Sequence, residues 1–223
     1  MDSPIVRSPE AVTLLGAGQV SPGNITEILR IAPFLVAADG GANVALRAGV
    51  MPDLVIGDLD SLTRAAQAAI PAARIHRVSE QETTDFEKCL TRIEAPVVLC
   101  LGFTGNRVDH ALAVWNTVVR HPERGAIILS RTDVAFTVTG EVDLPLRAGT
   151  RVSLFPMARV RARSEGLHWP VDRVEFAPDG AIGTSNRATG PVRLWIDGPG
   201  MIVILPRACL GVAIAALSAR PRR

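Results

Sequence analysis

Short, continuous apolar segments that alternate with helical stretches constrain the fold of this chain more than any other feature. Such runs are typical of parallel strands buried on both faces, and their alternation with helices predicts βα units. We therefore expect an N-terminal α/β domain, Rossmann-like and three-layered, with a mostly parallel sheet. Helix starts are expected at Asn24 or Thr26, at Ser61, and at Thr83 or Thr84. The expected strands are Ala11–Leu15, Phe34–Ala38, Leu54–Ile56, Val97–Leu101 and Ala126–Leu129.

The pattern changes after Gly140, where short β-rich runs are separated by turn signals. We expect an all-β module, a small sandwich or half-barrel, with turns at Pro178–Gly180 and Asp197–Gly200. This divides the chain into an α/β domain over residues 1–144 and a β-sandwich domain over residues 145–223. A β module this small is expected to lean on the first domain or on a second subunit. Its expected strands are Val152–Phe155, Val160–Ala162, Arg173–Phe176, Val192–Ile196 and Met201–Leu205.

Composition argues against several classes of protein. The 24 basic and 22 acidic residues leave a net charge of +2 without a basic stripe, so no nucleic-acid partner is expected. Three widely spaced cysteines support neither a disulfide framework nor a zinc site. The first ten residues do not resemble a signal peptide, and Pro206 and Arg207 interrupt the most apolar stretch, Met201 to Leu217. We expect a cytoplasmic protein without a membrane partner, and a solvated basic tail at Arg220, Arg222 and Arg223.

Two aspartates, Asp58 and Asp60, directly follow a predicted buried strand. If the backbone stays extended there, both side chains point the same way, and carboxylates about 4 Å apart repel by roughly 4 kcal/mol. A divalent cation would offset this repulsion, and an oxygen-only donor set at a strand end favours Mg²⁺. The alternative is that one aspartate caps the next helix while the other is solvated.

Three more acids occupy similar settings. Asp39 follows a buried strand and precedes Gly40 and Gly41, which permit a close approach of ligand or backbone. Asp85 opens a predicted helix, where a plain capping role is the alternative. A glycine-containing loop, residues 102–110, joins Arg107, Asp109 and His110 at a helix start suited to anions; a capping loop with a surface Arg–Asp pair is its alternative.

A parallel sheet gathers all these positions on one edge. An acidic rim with an arginine clamp matches phosphoryl transfer, which depends mainly on positioning and charge neutralisation. Other signals are weaker: Gly16–Ser21 matches only part of a dinucleotide fingerprint, although it suits a turn that faces a nucleotide. Lys88, the only lysine, follows no glycine, so there is no Walker A motif.

Four segments together resemble thiamine pyrophosphokinases: Ala38–Asn43, Gly57–Ser61 with the preceding Pro52-Asp53, Thr84–Phe86, and Gly105–His110. In the β module, Val152–Leu154, Glu165–Pro170 and Thr184–Asn186 are similar to that family's second domain. The resemblance implies transfer of the β,γ-diphosphate of ATP to the hydroxyl of thiamine, with release of AMP. It also implies Mg²⁺ and a homodimer whose active sites lie between the α/β domain of one chain and the β domain of the other.

The resemblance also implies roles for individual residues. The implied catalytic residues are Asp58, Asp60, Asp85, Arg107 and Asp109, of which the first three would hold the metal. The implied ATP contacts are Asp39, Gly40, Gly41, Asn43, Ser61, Thr104, Gly105, Arg107 and His110. The implied thiamine contacts are Gln81, Asp85, Ser185, Asn186 and Trp169, whose ring would stack on the cationic thiazolium.

Alternatives remain open at this point. Trp169 could instead be a core residue of the β module, and Ser185-Asn186 an ordinary turn. Asn106 and Arg187 depart from the family pattern, in the phosphate turn and in the Ser185-Asn186 loop respectively. For the whole protein, the alternatives are a diphosphokinase acting on another hydroxyalkyl heterocycle, such as a pterin, and a nucleotide- or thiamine-binding module without turnover.

Overall fold

The computed structural model describes residues 4–105 and 107–220. These residues form two compact units, one ending at Thr117 and the other beginning at Val118, whereas the sequence suggested a boundary between residues 140 and 149. No helix in the described ranges is long and apolar enough to cross a membrane.

The first unit is built on a parallel sheet in the order β7-β2-β3-β4-β5. The strands β2, β3, β4 and β7 are apolar because both faces of the sheet are covered; the exception is Thr13 in β2, whose hydroxyl donates to the Ala32 carbonyl. Two short strands, β1 and β6, pair separately. The strand bounds are β1 Val6–Arg7, β2 Val12–Leu15, β3 Phe34–Ala38, β4 Leu54–Gly57, β5 Ile75–Arg77, β6 Ile93–Glu94 and β7 Val98–Leu101.

Helices connect these strands, and hydroxyl side chains begin three of them. Ser21 caps α1, Thr63 caps α3 and Thr84 caps α4, each by accepting a backbone N–H of the first turn. The predicted helix starts are therefore displaced by a few residues at α1 and α3 and confirmed at Thr84. The helix bounds are α1 Pro22–Leu29, α2 Gly41–Arg47, α3 Arg64–Ala69, α4 Asp85–Thr91 and α5 Val108–Arg120.

The connections β2–β3–β4–β5 run outward along the sheet, and the chain then returns to place β7 on the other side of β2. The carboxyl ends of β2 and β7 therefore mark the point where the strand order reverses, which is where open α/β sheets bind ligands. The backbones of the two loops that leave these strands touch: a Cβ on Gly16 or Gly18 would lie within 2.7 Å of the Gly102 carbonyl oxygen. Only glycine permits this approach.

The second unit is mainly antiparallel, with the order β12-β11-β13-β9-β8, and β10 also pairs with β13. The predicted strands Val192–Ile196 and Met201–Leu205 are both parts of β13, so the prediction of a turn at Asp197–Gly200 is wrong. Both parts pair with β9, and the intervening residues form a register shift in a continuous strand. The strand bounds are β8 Ala126–Leu129, β9 Asp133–Leu144, β10 Arg151–Pro156, β11 Val160–Leu167, β12 Glu175–Phe176 and β13 Gly183–Pro206.

The prediction of an all-β C-terminal module is also wrong at its end. Leu210–Ser218 form α6, which packs on β9 and buries Leu210, Ala213 and Leu217. This segment is rich in alanine and leucine, which have the strongest helix propensity, and it lies just beyond Pro206, where β13 ends.

Candidate functional site

A cavity of about 760 Å³ lies in the first unit at the carboxyl ends of the parallel strands. Its walls come from the loops after β2, β3, β4 and β7 and from the N-terminus of α4. Phe86 and Phe103, with ring centroids 4.7 Å apart, form an apolar part of the wall. Of the residues predicted to act at one site, the lining includes Asp39, Gly40, Asp58, Ser61, Gln81, Asp85, Gly105, Arg107 and His110.

The acids Asp39, Asp58 and Asp60 form a cluster whose carboxylate oxygens lie within 4.8 Å of one another. The expected extended backbone between Asp58 and Asp60 is wrong, because Leu59 has a left-handed φ of 71°. Instead, a tight turn brings the two side chains together, and Asp58 Oδ1 accepts the backbone N–H of Asp60 at 3.3 Å.

Asp39 is the buried member of the cluster, with 1% of its surface exposed. Its left-handed backbone, with φ of 41°, turns the side chain from the end of β3 towards the loop after β4, where Oδ2 accepts the Ser61 N–H at 3.1 Å. A Cβ on Gly57 would lie 2.7 Å from the Asp39 Cβ, so β4 must end in glycine here. Asp39 Oδ1 is buried and has no hydrogen-bond partner among the described residues. Burial raises the pKa of Asp39 to about 6, and the nearby charge of Asp85 acts in the same direction.

Asp58 and Asp85 are joined by Lys88, whose Nζ lies 3.0 Å from Asp58 Oδ2 and 3.4 Å from Asp85 Oδ1. Gln81 Nε2 donates a second hydrogen bond to Asp58 Oδ2 at 3.0 Å. Burial acts to raise the pKa of Asp58, but the hydrogen bonds from Lys88 and Gln81 outweigh it and lower that pKa. For Asp85 the balance is reversed, because burial raises its pKa more than Lys88 lowers it.

Lys88 is the functional candidate that the sequence interpretation overlooked. Its side chain is 2% exposed, and it belongs to the largest fully buried side chains of the described chain. The missed signal is its spacing of three residues from Asp85 on α4, which places both side chains on one face of the helix. The sequence interpretation considered this lysine only as a possible Walker A residue.

Arg107 and Asp109 form a bidentate pair in the first turn of α5, with contacts of 2.6 Å to Nη2 and 3.2 Å to Nε. The hydrogen bond from Arg107 lowers the pKa of Asp109 to about 2. Arg107 lines the cavity, whereas Asp109 is not among the lining residues. Both side chains are largely exposed, so the two form a surface Arg–Asp pair. Asn106 lies outside the described residues.

Asn43 has an evident structural task, although it was predicted to contact ATP. Its Nδ2 donates to the Ser61 carbonyl at 2.8 Å, and its Oδ1 accepts the Thr63 hydroxyl at 2.8 Å. Asn43 therefore braces the loop that carries Asp58 and Asp60. Thr104, Gly41 and Asp60 flank the cavity residues in sequence without lining the cavity itself.

The predicted thiamine contacts Trp169, Ser185 and Asn186 lie in the second unit. Trp169 is 55% exposed, so the alternative that it is a core residue is wrong. The Asn186 side chain holds the backbone of Trp169 through two hydrogen bonds: Oδ1 accepts the Trp169 N–H at 3.2 Å, and Nδ2 donates to the Trp169 carbonyl at 2.7 Å. Ser185 has a left-handed φ of 63°, and its N–H donates to Ser153 Oγ at 3.0 Å. Ser185 and Asn186 both lie within β13, so the alternative that they form an ordinary turn is wrong.

Comparison with known proteins agrees with this site. Residues 25–129, which contain the acid cluster, Lys88 and Arg107, match the model described as thiamin pyrophosphokinase, catalytic domain. The chain is 26% identical over 189 residues to thiamine pyrophosphokinase 1 of Arabidopsis thaliana, covering 70% of this chain and 71% of that protein. The chain is therefore similar to thiamine pyrophosphokinases, in agreement with the resemblance seen in its sequence.

Solved structures of thiamin pyrophosphokinases share the fold. The structure from Candida albicans superposes with a TM-score of 0.75 at 15% identity, covering 92% of this chain and 97% of that one. The structure from Geobacillus thermodenitrificans gives a TM-score of 0.72 at 21% identity, covering 90% of this chain and 100% of that one. At such identities the likeness shows the fold alone, and it confirms the expectation of a mixed α/β protein.

Proposed function

We propose that this chain is an enzyme of the thiamine pyrophosphokinase family that transfers the diphosphate of ATP to the hydroxyl of thiamine, giving thiamine diphosphate and AMP. The observation that carries the proposal is the convergence of Asp39, Asp58, Asp85 and Arg107 on one cavity at the point where the strand order reverses. The matched family model covers these residues. Neither the pterin-type diphosphokinase nor the binding module without turnover is favoured by the comparisons.

The acid cluster fits a divalent metal ion. All its donors are carboxylate oxygens, which suits Mg²⁺, and Asp39 Oδ1 is a buried acceptor without a hydrogen-bond donor. Asp39, Asp58 and Asp60 would hold the ion, whereas Asp85 faces Lys88 and would act beside it. When bound, Mg²⁺ would neutralise charge on the transferring phosphates.

The nucleotide would occupy the side of the cavity formed by the glycine loops. The loops 16–18 and 102–105 supply backbone that can approach phosphates closely, and Arg107 supplies guanidinium donors. His110 lines the same side, and Gly40 and Ser61 complete the predicted ATP contacts in the lining. Transfer then requires the chain to hold the phosphates in place and to exclude water from them. The apolar wall formed by Phe86 and Phe103 would exclude the water.

Thiamine would stack on Trp169, whose ring is exposed and whose backbone is fixed by Asn186. A cationic thiazolium beside an indole face gains roughly 1 to 2 kcal/mol. We infer that the first unit is a Rossmann-like three-layer domain that serves ATP and that the second unit is a β-sandwich that serves thiamine. The homodimer with active sites between subunits, and the cytoplasmic location, stay predictions.

The proposal is tested by incubating the protein with ATP, Mg²⁺ and thiamine and by measuring AMP. AMP formation that requires thiamine supports the proposal. Formation with a pterin alcohol but not with thiamine would replace it by the pterin-type enzyme, and heat of thiamine binding without AMP would indicate a binding module. Asp58→Asn should abolish turnover without loss of the folded state, and Asp53→Asn provides a matched control, since Asp53 accepts the Leu35 N–H away from the cluster.

A further inference from the structure

Lys88 is buried between two of the acids that the proposed reaction needs. A lysine with 2% exposure would strongly destabilise the fold if its charge had no partner. Here its ammonium contacts Asp58 at 3.0 Å and Asp85 at 3.4 Å, so both carboxylates share one cation. The contact with Asp58 joins the loop after β4 to α4 across 30 residues of sequence.

Asp58 therefore takes part both in the ion pair with Lys88 and in the acid cluster with Asp39 and Asp60. Its Oδ2 accepts hydrogen bonds from Lys88 and Gln81, both at 3.0 Å, while the same carboxylate is part of the cluster with Asp39 and Asp60. A carboxylate has lone pairs for both neighbours, but the two neighbours repel each other if both are cations. Lys88 and a divalent ion at the cluster must influence each other through this shared side chain.

We propose that Lys88 is a positioning residue that balances the charges of Asp58 and Asp85 in the metal-free protein, and that its own charge lowers the affinity of the acid cluster for a divalent ion. The inference rests on the proposed function only for the identity of the ion. Lys88 thus offsets the repulsion among Asp58, Asp85 and Asp39 while no divalent ion is bound. The weaker metal binding that results would ease exchange of the ion between turnovers.

The first test compares Lys88→Met with Lys88→Arg, which keeps the charge, in protein stripped of metal with a chelator. Calorimetric titration with Mg²⁺ alone should show binding to Lys88→Met that is about tenfold tighter than to the wild type, because a repelling charge has been removed. Lys88→Arg should stay within about twofold of the wild type. A residue with only a structural role would show the opposite result: its removal would disorder the acids and weaken Mg²⁺ binding. Equal or weaker binding to a folded Lys88→Met variant overturns the proposal.

A second measurement needs no variant. Because Lys88 is the only lysine in the chain, labelling with ¹³C- and ¹⁵N-lysine places a single side-chain probe in the wild-type protein. Its Cε and Nζ resonances should shift as Mg²⁺ is added, with the same midpoint as the calorimetric titration. A spectrum that does not change at saturating Mg²⁺ overturns the proposal, even if Lys88→Met fails to fold.

These titrations contain neither ATP nor thiamine, so they are independent of the proposed reaction. A wild-type protein that makes no AMP with thiamine, but whose lysine resonance responds to Mg²⁺, would disprove the reaction and support the role of Lys88. A wild-type protein that makes AMP with thiamine, but whose lysine resonance does not respond to Mg²⁺, would support the reaction and disprove the role of Lys88.

Discussion

The orientation of Trp169 should depend on one buried side chain, that of Asn186, which is 6% exposed. Asn186 makes three hydrogen bonds to backbone: it accepts the N–H groups of Trp169 at 3.2 Å and Arg187 at 2.7 Å, and it donates to the Trp169 carbonyl at 2.7 Å. Each contributes about 1 kcal/mol net, so Asn186→Ala should lower the free energy of unfolding by about 3 kcal/mol. For a chain of this length, that loss corresponds to a fall in Tm of about 6–12 °C.

The assay pairs thermal unfolding with steady-state kinetics. In Asn186→Ala the indole loses its fixed backbone, so KM for thiamine should rise about tenfold while KM for ATP stays near the wild-type value. Asn186→Asp is the comparison variant: it keeps the acceptor oxygen for Trp169 and Arg187, but it replaces the donor with a carboxylate oxygen that repels the Trp169 carbonyl. It should therefore lower Tm at least as much as Asn186→Ala. An Asn186→Ala variant with wild-type Tm and unchanged KM for thiamine would refute the role assigned to this clamp.

Three further predictions concern the remaining parts of the site. Trp169→Ala should raise KM for thiamine by about 5- to 30-fold at constant KM for ATP and constant Tm, and equal effects on both substrates would contradict stacking. Asp39→Asn should stabilise the metal-free protein by about 1–3 kcal/mol, because a buried carboxylate oxygen without a donor is removed. The pKa of Asp39 is raised to about 6, so its charged form is disfavoured in the folded state. The increase in the free energy of unfolding, measured with urea, should therefore be larger at pH 8 than at pH 4. An increase that does not depend on pH would argue against the burial of Asp39. Burial also raises the pKa of the Cys89 and Cys100 thiols, whereas Cys209 is partly exposed. A thiol reagent at pH 8 should therefore modify about one cysteine in the native protein and all three after unfolding. Modification of all three in the native protein would contradict the packing around β7 and α4.

The sequence by itself determined the parallel strands of the first unit, the strand β8 of the second, and the positions of the acids that follow the parallel strands. Phe34–Ala38 and Ala126–Leu129 are strands with the predicted bounds, because a continuous apolar run between polar segments is a local signal for a buried strand. Aspartates and glycines directly after such runs are equally local, and parallel strands bring their carboxyl ends to one edge. The convergence of Asp39, Asp58 and Asp85 could therefore be predicted without coordinates.

Only the tertiary structure decided which of these acids form the cluster and which of them pair with Lys88. Asp39 joins Asp58 and Asp60 because left-handed backbone at Asp39 and Leu59 redirects their loops. Aspartate adopts this conformation more often than most residues, but nothing in the residue type indicates it at Leu59. Lys88 became the partner of Asp58 only when α4 packed beside the loop after β4, a contact between residues far apart in sequence. Local patterns report what a segment can bury. The pairing of charged side chains from different segments depends on how those segments pack together, and short-range sequence patterns do not contain that information.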